Sequence, residues 1–182
     1  MKKLIFALAS LLLISIESKA ANFYVAKEGA NRVLYISGEI LPSDTQRFFS
    51  LVIEHNDVNV IDLNSGGGVV NDGMAMAQFI NFKGYTTRIR AKSRCFSICS
   101  VMFLSGSKKL IHKDGYLGVH TAFNGKTNER DDKINSYIAW YFGRIGYDAG
   151  LVTMWLESEP SSVNFITAQI NMKLNLGIES LK

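Results

Sequence analysis

Residues 58–84 read VNVIDLNSGGGVVNDGMAMAQFINFKG, and this stretch decides the fold. Its first six residues are mostly β-branched or apolar, which is typical of a buried strand. The following Asn64-Ser65-Gly66-Gly67-Gly68 predicts a loop whose tightness only glycines allow. Asp72 is then a predicted cap for a helix that ends at Gly84. A strand, a glycine loop and a helix in this order predict part of a βαβ unit.

Strand and helix patterns alternate along the rest of the chain. Short strands are predicted at residues 23–26, 33–37, 85–90, 109–111 and 116–119. Helices are predicted from a cap at Ser43-Asp44 to about His55, and at residues 134–145, 149–156 and 167–174. The apolar stripe on residues 134–145 indicates a core or oligomer face. The alternation predicts one α/β domain with a largely parallel sheet and right-handed βαβ connections.

The first twenty residues have the pattern of a secretory signal peptide. Lys2 and Lys3 precede a thirteen-residue apolar run, and Ser18-Lys19-Ala20 is a small-x-small cleavage site. Cleavage after Ala20 would leave residues 21–182, exported to the periplasm or secreted; an uncleaved anchor is the alternative. Removing three lysines and one glutamate lowers the formal charge from +4 to +2. That charge predicts no nucleic-acid partner.

The two cysteines, Cys95 and Cys99, would meet an oxidising compartment after export. A pair that straddles a turn into a helix can close a disulfide, although both residues can also be buried small side chains. Two cysteines cannot complete a structural zinc site by themselves. The sequence therefore predicts a disulfide and neither a metal nor a cofactor.

Three features could carry chemistry. The glycine loop offers free N–H groups at a helix N-terminus, although a tight strand-to-helix turn needs no further function. Ser97 stands at the predicted start of a helix, where its hydroxyl and the Ile98 N–H can face the same space, as a nucleophile with an oxyanion hole requires. A serine in such a place can also simply cap the helix. His120 follows a predicted strand and could act as the base or be a core histidine.

These motifs resemble the proteolytic subunit of Clp protease. The segment from Asn64 to Met74 is similar to that family's Asn-Ser-Pro-Gly-Gly stretch and its following helix. Residues 95–104 are similar to its nucleophile helix, so Ser97 falls on the catalytic serine and His120 on the catalytic histidine. The Cys-x-Ser-x-Cys and Gly-x-His patterns after a signal peptide resemble exported Clp-protease-like proteins. The resemblance covers residues 37–122 well and the last third loosely.

The resemblance implies a crotonase-like spiral of ββα units. It also implies a serine hydrolase in which Ser97 attacks and His120 moves the proton. The oxyanion hole would then consist of Gly67, Gly68 and the Ile98 N–H. The substrate would be a peptide or an unfolded protein segment.

The sequence departs from the family at the third catalytic residue. Val163 stands where the family has an aspartate, and Asn164, Glu159 or Asp148 could replace it. The segment after His120 is shorter than the family's helical handle, so a double ring is not expected, although a homo-oligomer remains open. An exported protein meets no ATP, which predicts no ATPase partner.

Three functional hypotheses follow from these residues. The first is an exported serine peptidase with a Ser97–His120 pair. The second is a weak or inactive domain of the same fold that binds an extended peptide or a partner protein. The third is a serine–lysine dyad with Lys126 or Lys133, which the polar surroundings of both lysines disfavour because a catalytic lysine must be desolvated.

Overall fold

The computed structural model describes residues 20–159 and 162–181. Fifteen elements follow one another, with helices and strands alternating for most of the chain. In chain order they are β1 (Asn22–Glu28), β2 (Asn31–Ser37), α1 (Asp44–Glu54), β3 (Val60–Asn64), α2 (Val70–Lys83), β4 (Thr86–Ile89), β5 (Arg94–Phe96), α3 (Ile98–Leu104), β6 (Lys108–His112), β7 (Tyr116–Val119), α4 (Asp132–Arg144), α5 (Ala149–Leu156), β8 (Asn164–Phe165), α6 (Ala168–Lys173) and β9 (Ile178–Leu181). The predicted signal peptide lies outside the described residues except for Ala20.

The strands form two sheets. The larger sheet has the order β1-β2-β3-β4-β6-β9, in which β1 and β2 are antiparallel and every other pair is parallel. The smaller sheet has the order β5-β7-β8, with β5 parallel to β7 and β8 antiparallel to it. The predicted α/β domain with a largely parallel sheet is confirmed.

The hydrophobic core lies between the larger sheet and the helices. Alternate residues of β2 show which face is covered, because side chains in a strand point in turn to opposite faces. Leu34 and Ile36 belong to the main core, whereas Val33 and Tyr35 belong to a small cluster on the other face. Helix α3 is buried at all seven of its residues, so it is the central helix against which the others pack.

The outer face of the larger sheet carries a cluster of charges around Arg88. Arg88 binds Asp62 at 2.6 Å and Glu28 at 2.7 Å, and the Tyr35 hydroxyl also donates to Glu28. These hydrogen bonds, from Arg88 first and Tyr35 second, lower the pKa of Glu28 from 4.5 to about 2. Glu28 is therefore a carboxylate whose charge the folded state favours.

Two predicted helix caps are wrong. Helix α2 begins at Val70, and Asp72 accepts hydrogen bonds from the Thr45 N–H and hydroxyl instead of capping it. Ser43 precedes α1 but makes no side-chain cap, while the neighbouring Asp44 accepts from the Leu41 N–H. Asp72 thereby joins α2 to α1, which is distant in sequence, whereas Asp44 holds the loop directly before α1. The predicted capping pattern reveals neither contact.

The predicted apolar stripe on α4 is mostly a core face. Ile138, Tyr141 and Phe142 are buried within the single chain. Tyr137, by contrast, is 43% exposed and stacks on Trp140, which the stripe did not include. No described helix combines the length and apolar character that crossing a bilayer requires.

Candidate functional site

Three backbone segments that carry the predicted site residues meet at one edge of the fold. Ser65, directly after β3, is bridged in parallel to Cys95 of β5, and β5 is parallel to β7. Parallel strands have their carboxyl ends at the same edge, where the ligand sites of α/β folds lie. The glycine loop, Ser97 and His120 each follow one of these strands. The fold therefore brings together three features that the chain places up to 54 residues apart.

Ser97 occupies the sharp turn between β5 and α3. Its φ is 56° and its ψ is −131°, a left-handed conformation that non-glycine residues seldom adopt. The Ser97 side chain does not cap α3. The turn thus keeps the hydroxyl free of the helix at a cost in backbone strain, and such strain is characteristic of functional positions.

The glycine loop approaches Ser97 closely. A Cβ on Gly67 would lie 2.7 Å from the Ser97 Cβ, so this approach needs glycine. The Gly67 N–H is already used, since it donates to the Ser65 hydroxyl at 3.0 Å. Gly67 therefore contributes space beside Ser97, whereas its N–H serves to hold the loop.

The Gly68 N–H is free to face the cleft. Gly68 forms a parallel β-bridge with Ile40. The two hydrogen bonds of this bridge involve the residues on either side of Gly68: the Ile40 N–H donates to the Gly67 oxygen, and the Val69 N–H donates to the Ile40 oxygen, each at 2.8 Å. In such a parallel bridge the central residue points its own N–H away from the partner strand. Neither the Gly68 N–H nor the Ile98 N–H at the start of α3 has an acceptor among the described residues.

His120 follows β7 and is half-buried. Its Nδ1 lies 2.8 Å from the backbone oxygen of Thr121. A carbonyl oxygen can only accept a hydrogen bond, so Nδ1 is the donor and carries the proton of the neutral ring. Nε2 is then the unprotonated nitrogen, which is the atom that a general base requires. No hydrogen bond joins His120 to Ser97 within the described part of the chain.

The backbone after His120 is held by buried polar side chains. The Thr121 hydroxyl donates to the Ser158 oxygen at 2.9 Å. The Asn135 side chain pairs with both the N–H and the C=O of Ala122, each at 2.8 Å. It also accepts from the Trp155 indole N–H and donates to the Asp131 oxygen, so all its hydrogen-bonding groups are satisfied. These contacts fix the backbone of residues 121 and 122, and with it the point at which the His120 side chain leaves the main chain.

Ser97 and His120 line one cleft of about 1130 Å³ together with the glycine loop. Apolar side chains from Phe123 and Ile134 contribute to its wall. Two exposed cations, Lys92 and Arg94, and one carboxylate, Glu39, also line it. The cleft is large enough for several residues of an extended peptide, and it presents both polar and apolar groups to such a chain.

The three predicted replacements for the aspartate lie in different places. Asn164 is on β8, where it pairs with Val119. Glu159 is exposed and lines a second pocket that shares Phe123 with the main cleft. Asp148 caps α5 by accepting from the Gly150 N–H at 2.8 Å, so its carboxylate already has a local partner. None of the three makes a hydrogen bond to His120 among the described contacts.

Val163, which the resemblance aligns with the family's aspartate, packs against the backbone near His120. Its Cγ1 would lie 2.3 Å from a Cβ on Gly118, so the valine packs over the strand that leads to His120. An apolar side chain at this place can fill space but cannot accept a hydrogen bond from the imidazole.

The predicted lysine alternatives are both exposed. Lys126 lies in a turn whose N–H groups bond to Asn124, and Lys133 is in the first turn of α4. A catalytic lysine must lose its hydration, whereas an exposed lysine keeps it. The positions of both lysines thus give no support to a serine–lysine dyad.

Cys95 and Cys99 lie at disulfide-bonding distance on either side of Ser97. Their Cα atoms are 5.1 Å apart, and both side chains are fully buried. The pair joins the end of β5 to the first turn of α3. Within the described residues no group of three or more histidine, cysteine or acidic side chains could hold a metal ion.

Sequence reasoning missed the residues that hold His120. Asn135 lies on the same face of α4 as Ile138 and Phe142, so an amide within an apolar stripe was a usable signal. Thr121 gave no such signal, because its partner Ser158 is distant in sequence.

Comparison with known proteins supports the fold that the sequence predicted. No protein-family model and no curated protein matches this sequence. The ClpP catalytic domain from Plasmodium falciparum superposes with a TM-score of 0.61 at 16% identity, covering 82% of this chain and 84% of that one. A variant of ClpP1 from Listeria monocytogenes gives 0.57 at 15% identity, covering 82% and 92%. A variant of 1510-N, a membrane-bound stomatin-specific protease, gives 0.56 at 17% identity, covering 80% and 76%.

At these levels of identity, the likeness concerns the arrangement of the backbone. It spans most of each chain, and the three solved structures named above are ClpP-type and stomatin-specific proteases. This chain therefore has the Clp protease-like fold.

Proposed function

We propose that the protein is an exported serine peptidase with Ser97 as nucleophile and His120 as general base. The observation that carries this proposal is the strained backbone of Ser97, at a φ of 56°, in the same cleft as a histidine with a free Nε2. A serine that only capped α3 would gain nothing from this conformation. The peptidase-like fold supports the same conclusion.

The mechanism follows from the groups that line the cleft. The Ser97 hydroxyl attacks the scissile carbonyl and gives its proton to Nε2 of His120, which later passes it to the leaving amine. The N–H groups of Gly68 and Ile98 donate to the oxygen on which negative charge develops. Water, activated by the same histidine, then releases the acyl group from Ser97. Gly67 supports this arrangement by leaving room beside the nucleophile.

Ser97 and His120 are not hydrogen-bonded in the free protein, which is compatible with this mechanism. Catalytic hydrogen bonds are often long before a substrate is present, and they tighten when it binds. A substrate that fills the cleft would exclude water and bring the two side chains together.

The substrate class is a peptide or an unfolded protein segment. An extended chain can lie along the glycine loop, where free backbone N–H groups are available to it. Lys92 and Arg94 at the cleft favour acidic side chains in that chain, because opposite charges attract at short range. Export and the absence of an ATPase partner belong to the proposal as the sequence predicts them, and the sequence leaves homo-oligomer formation open.

Labelling with a fluorophosphonate probe tests the proposal. The protein, comprising residues 21–182, is treated with the probe, and the adduct is located by intact mass and peptide mapping. We expect one adduct on Ser97, with labelling lost in Ser97→Ala and His120→Ala. Lys133→Ala is the matched control, and it should label like the wild type. Labelling that survives in His120→Ala would contradict the assigned base.

A second candidate function is a binding domain that has lost catalysis. Val163 favours it, because an apolar residue stands where the resemblance predicts the aspartate. In that case the cleft binds an extended peptide or a partner protein, and Ser97 performs no reaction. A folded protein that takes up no probe but captures an unfolded polypeptide would favour this function, provided that the folded fraction of Gly68→Ala loses the capture.

A further inference from the structure

The imidazole of His120 has no carboxylate partner, yet its tautomer is defined. In a serine triad the aspartate accepts from Nδ1–H, so that Nε2 remains the base. Here the acceptor is the backbone oxygen of Thr121 at 2.8 Å, and this is the hydrogen bond that His120 makes among the described residues. The geometric part of the aspartate's role is thus performed by the main chain.

That carbonyl is itself fixed from within the core. Thr121 is fully buried, and its hydroxyl donates to the Ser158 oxygen at 2.9 Å. Ser158 is also buried, and its hydroxyl donates to the Trp155 oxygen at the end of α5. The Thr121 side chain therefore anchors the peptide whose oxygen meets Nδ1.

We propose that Thr121 is a positioning residue that replaces the triad aspartate by holding its own carbonyl against Nδ1 of His120. This inference rests on the proposed function only for its catalytic consequence, since the tautomer of His120 can be measured without any reaction. A carbonyl carries no full charge, so it orients the ring and stabilises the imidazolium less than a carboxylate would. We expect an enzyme in which the imidazole is correctly oriented but the reaction is slower than with an aspartate.

The experiment compares Thr121→Val with Thr121→Ser. Valine keeps the branched shape and removes the hydroxyl, whereas serine keeps the hydroxyl and is the matched control. Long-range ¹H–¹⁵N spectra of protein labelled with ¹⁵N-histidine report which ring nitrogen is protonated. His120 is assigned by its disappearance in His120→Gln, and the spectra are recorded at a pH where the ring is neutral.

We expect the Nδ1–H tautomer in the wild type and in Thr121→Ser. In Thr121→Val we expect a mixture with Nε2–H and a labelling rate of Ser97 that falls at least in proportion, by about twofold when half of the population lacks the free base. A denaturation curve shows that each variant is folded. A wild type with Nε2–H as its main form overturns the inference, as does an unchanged tautomer in folded Thr121→Val.

The two proposals fail in different ways. Absence of probe labelling in the wild type, with the Nδ1–H form present, removes the proposed peptidase but leaves the positioning of His120 intact. Normal labelling with an unchanged rate in Thr121→Val retains the peptidase and removes the role of Thr121. If Thr121→Val does not fold, Thr121→Ala, which also lacks the hydroxyl, makes the same comparison, and a wild type with mainly Nε2–H still overturns the inference.

Discussion

Replacing Gly68 with alanine adds one methyl group where backbone atoms leave no room for it. The new Cβ would lie 2.1 Å from the Ile40 oxygen and 2.8 Å from its nitrogen. Ile40 is fully buried, so its backbone cannot move aside cheaply. The bridge between the two residues must open, which breaks the two 2.8 Å hydrogen bonds that Ile40 makes to Gly67 and Val69.

The free energy of unfolding should fall by about 3 to 5 kcal/mol. The two hydrogen bonds contribute about 1 kcal/mol each. Holding alanine at a φ of +138° adds roughly 1 to 3 kcal/mol of strain. The assay is urea denaturation followed by tryptophan fluorescence, with fluorophosphonate labelling of the folded fraction. We expect no labelling, because the Gly68 N–H is displaced from the oxyanion position.

Gly125→Ala is the matched control for this experiment. Gly125 lines the same cleft, has no positive φ and has nothing within 4 Å of its added Cβ. Its effect on the free energy of unfolding should stay within about 0.5 kcal/mol. A loss below about 1 kcal/mol in Gly68→Ala, similar to the control, would refute the argument that the Ile40 backbone confines this glycine.

Three further predictions concern the disulfide, the outer charges and the buried amide. Reduction of Cys95 and Cys99 should lower the labelling of Ser97 by the probe, because it loosens the turn that presents the hydroxyl. Full labelling in dithiothreitol, with both thiols shown to be free, would contradict a role of the disulfide in presenting Ser97. The charge of Glu28 stabilises the fold above its unfolded pKa of 4.5, since the folded pKa is about 2. That contribution is lost as the pH falls from 4.5 towards 2, and the pH dependence of stability over this range should flatten in Glu28→Gln. Asn135→Ala leaves three buried polar groups unpaired, so the free energy of unfolding should drop by about 3 kcal/mol or more in urea denaturation; a drop close to zero would show that water replaces the amide.

The sequence predicted those structural elements that depend on the local preferences of single residue types. The glycine loop, the strand before it and the α2 end at Gly84 could all be predicted, because glycine and β-branched residues have strong local preferences. Ser97 and His120 were found through their resemblance to a known motif. The structure then placed both in one cleft, while their catalytic roles remain predictions.

The missed elements depend on contacts that are distant in sequence. The strands β5 and β8 have three and two residues, too few to show any periodicity. The resemblance compares residues 95–104 with a single helix, whereas β5 ends at Phe96 and α3 begins at Ile98. The strained φ of Ser97 comes from this junction, and a local pattern does not encode it.

The conformation of Ser97 also has an evolutionary consequence. Glycine adopts a φ of 56° with a ψ of −131° more easily than serine, so a change to glycine relieves strain at this turn. In a lineage that no longer needed the hydroxyl, a substitution of Ser97 by glycine would cause no loss of function and would make the protein more stable. Serine at this position therefore lowers the stability of the protein without a benefit unless the hydroxyl is used. A survey of natural variants at position 97 would measure that selection directly, with glycine marking the lineages that have abandoned the chemistry.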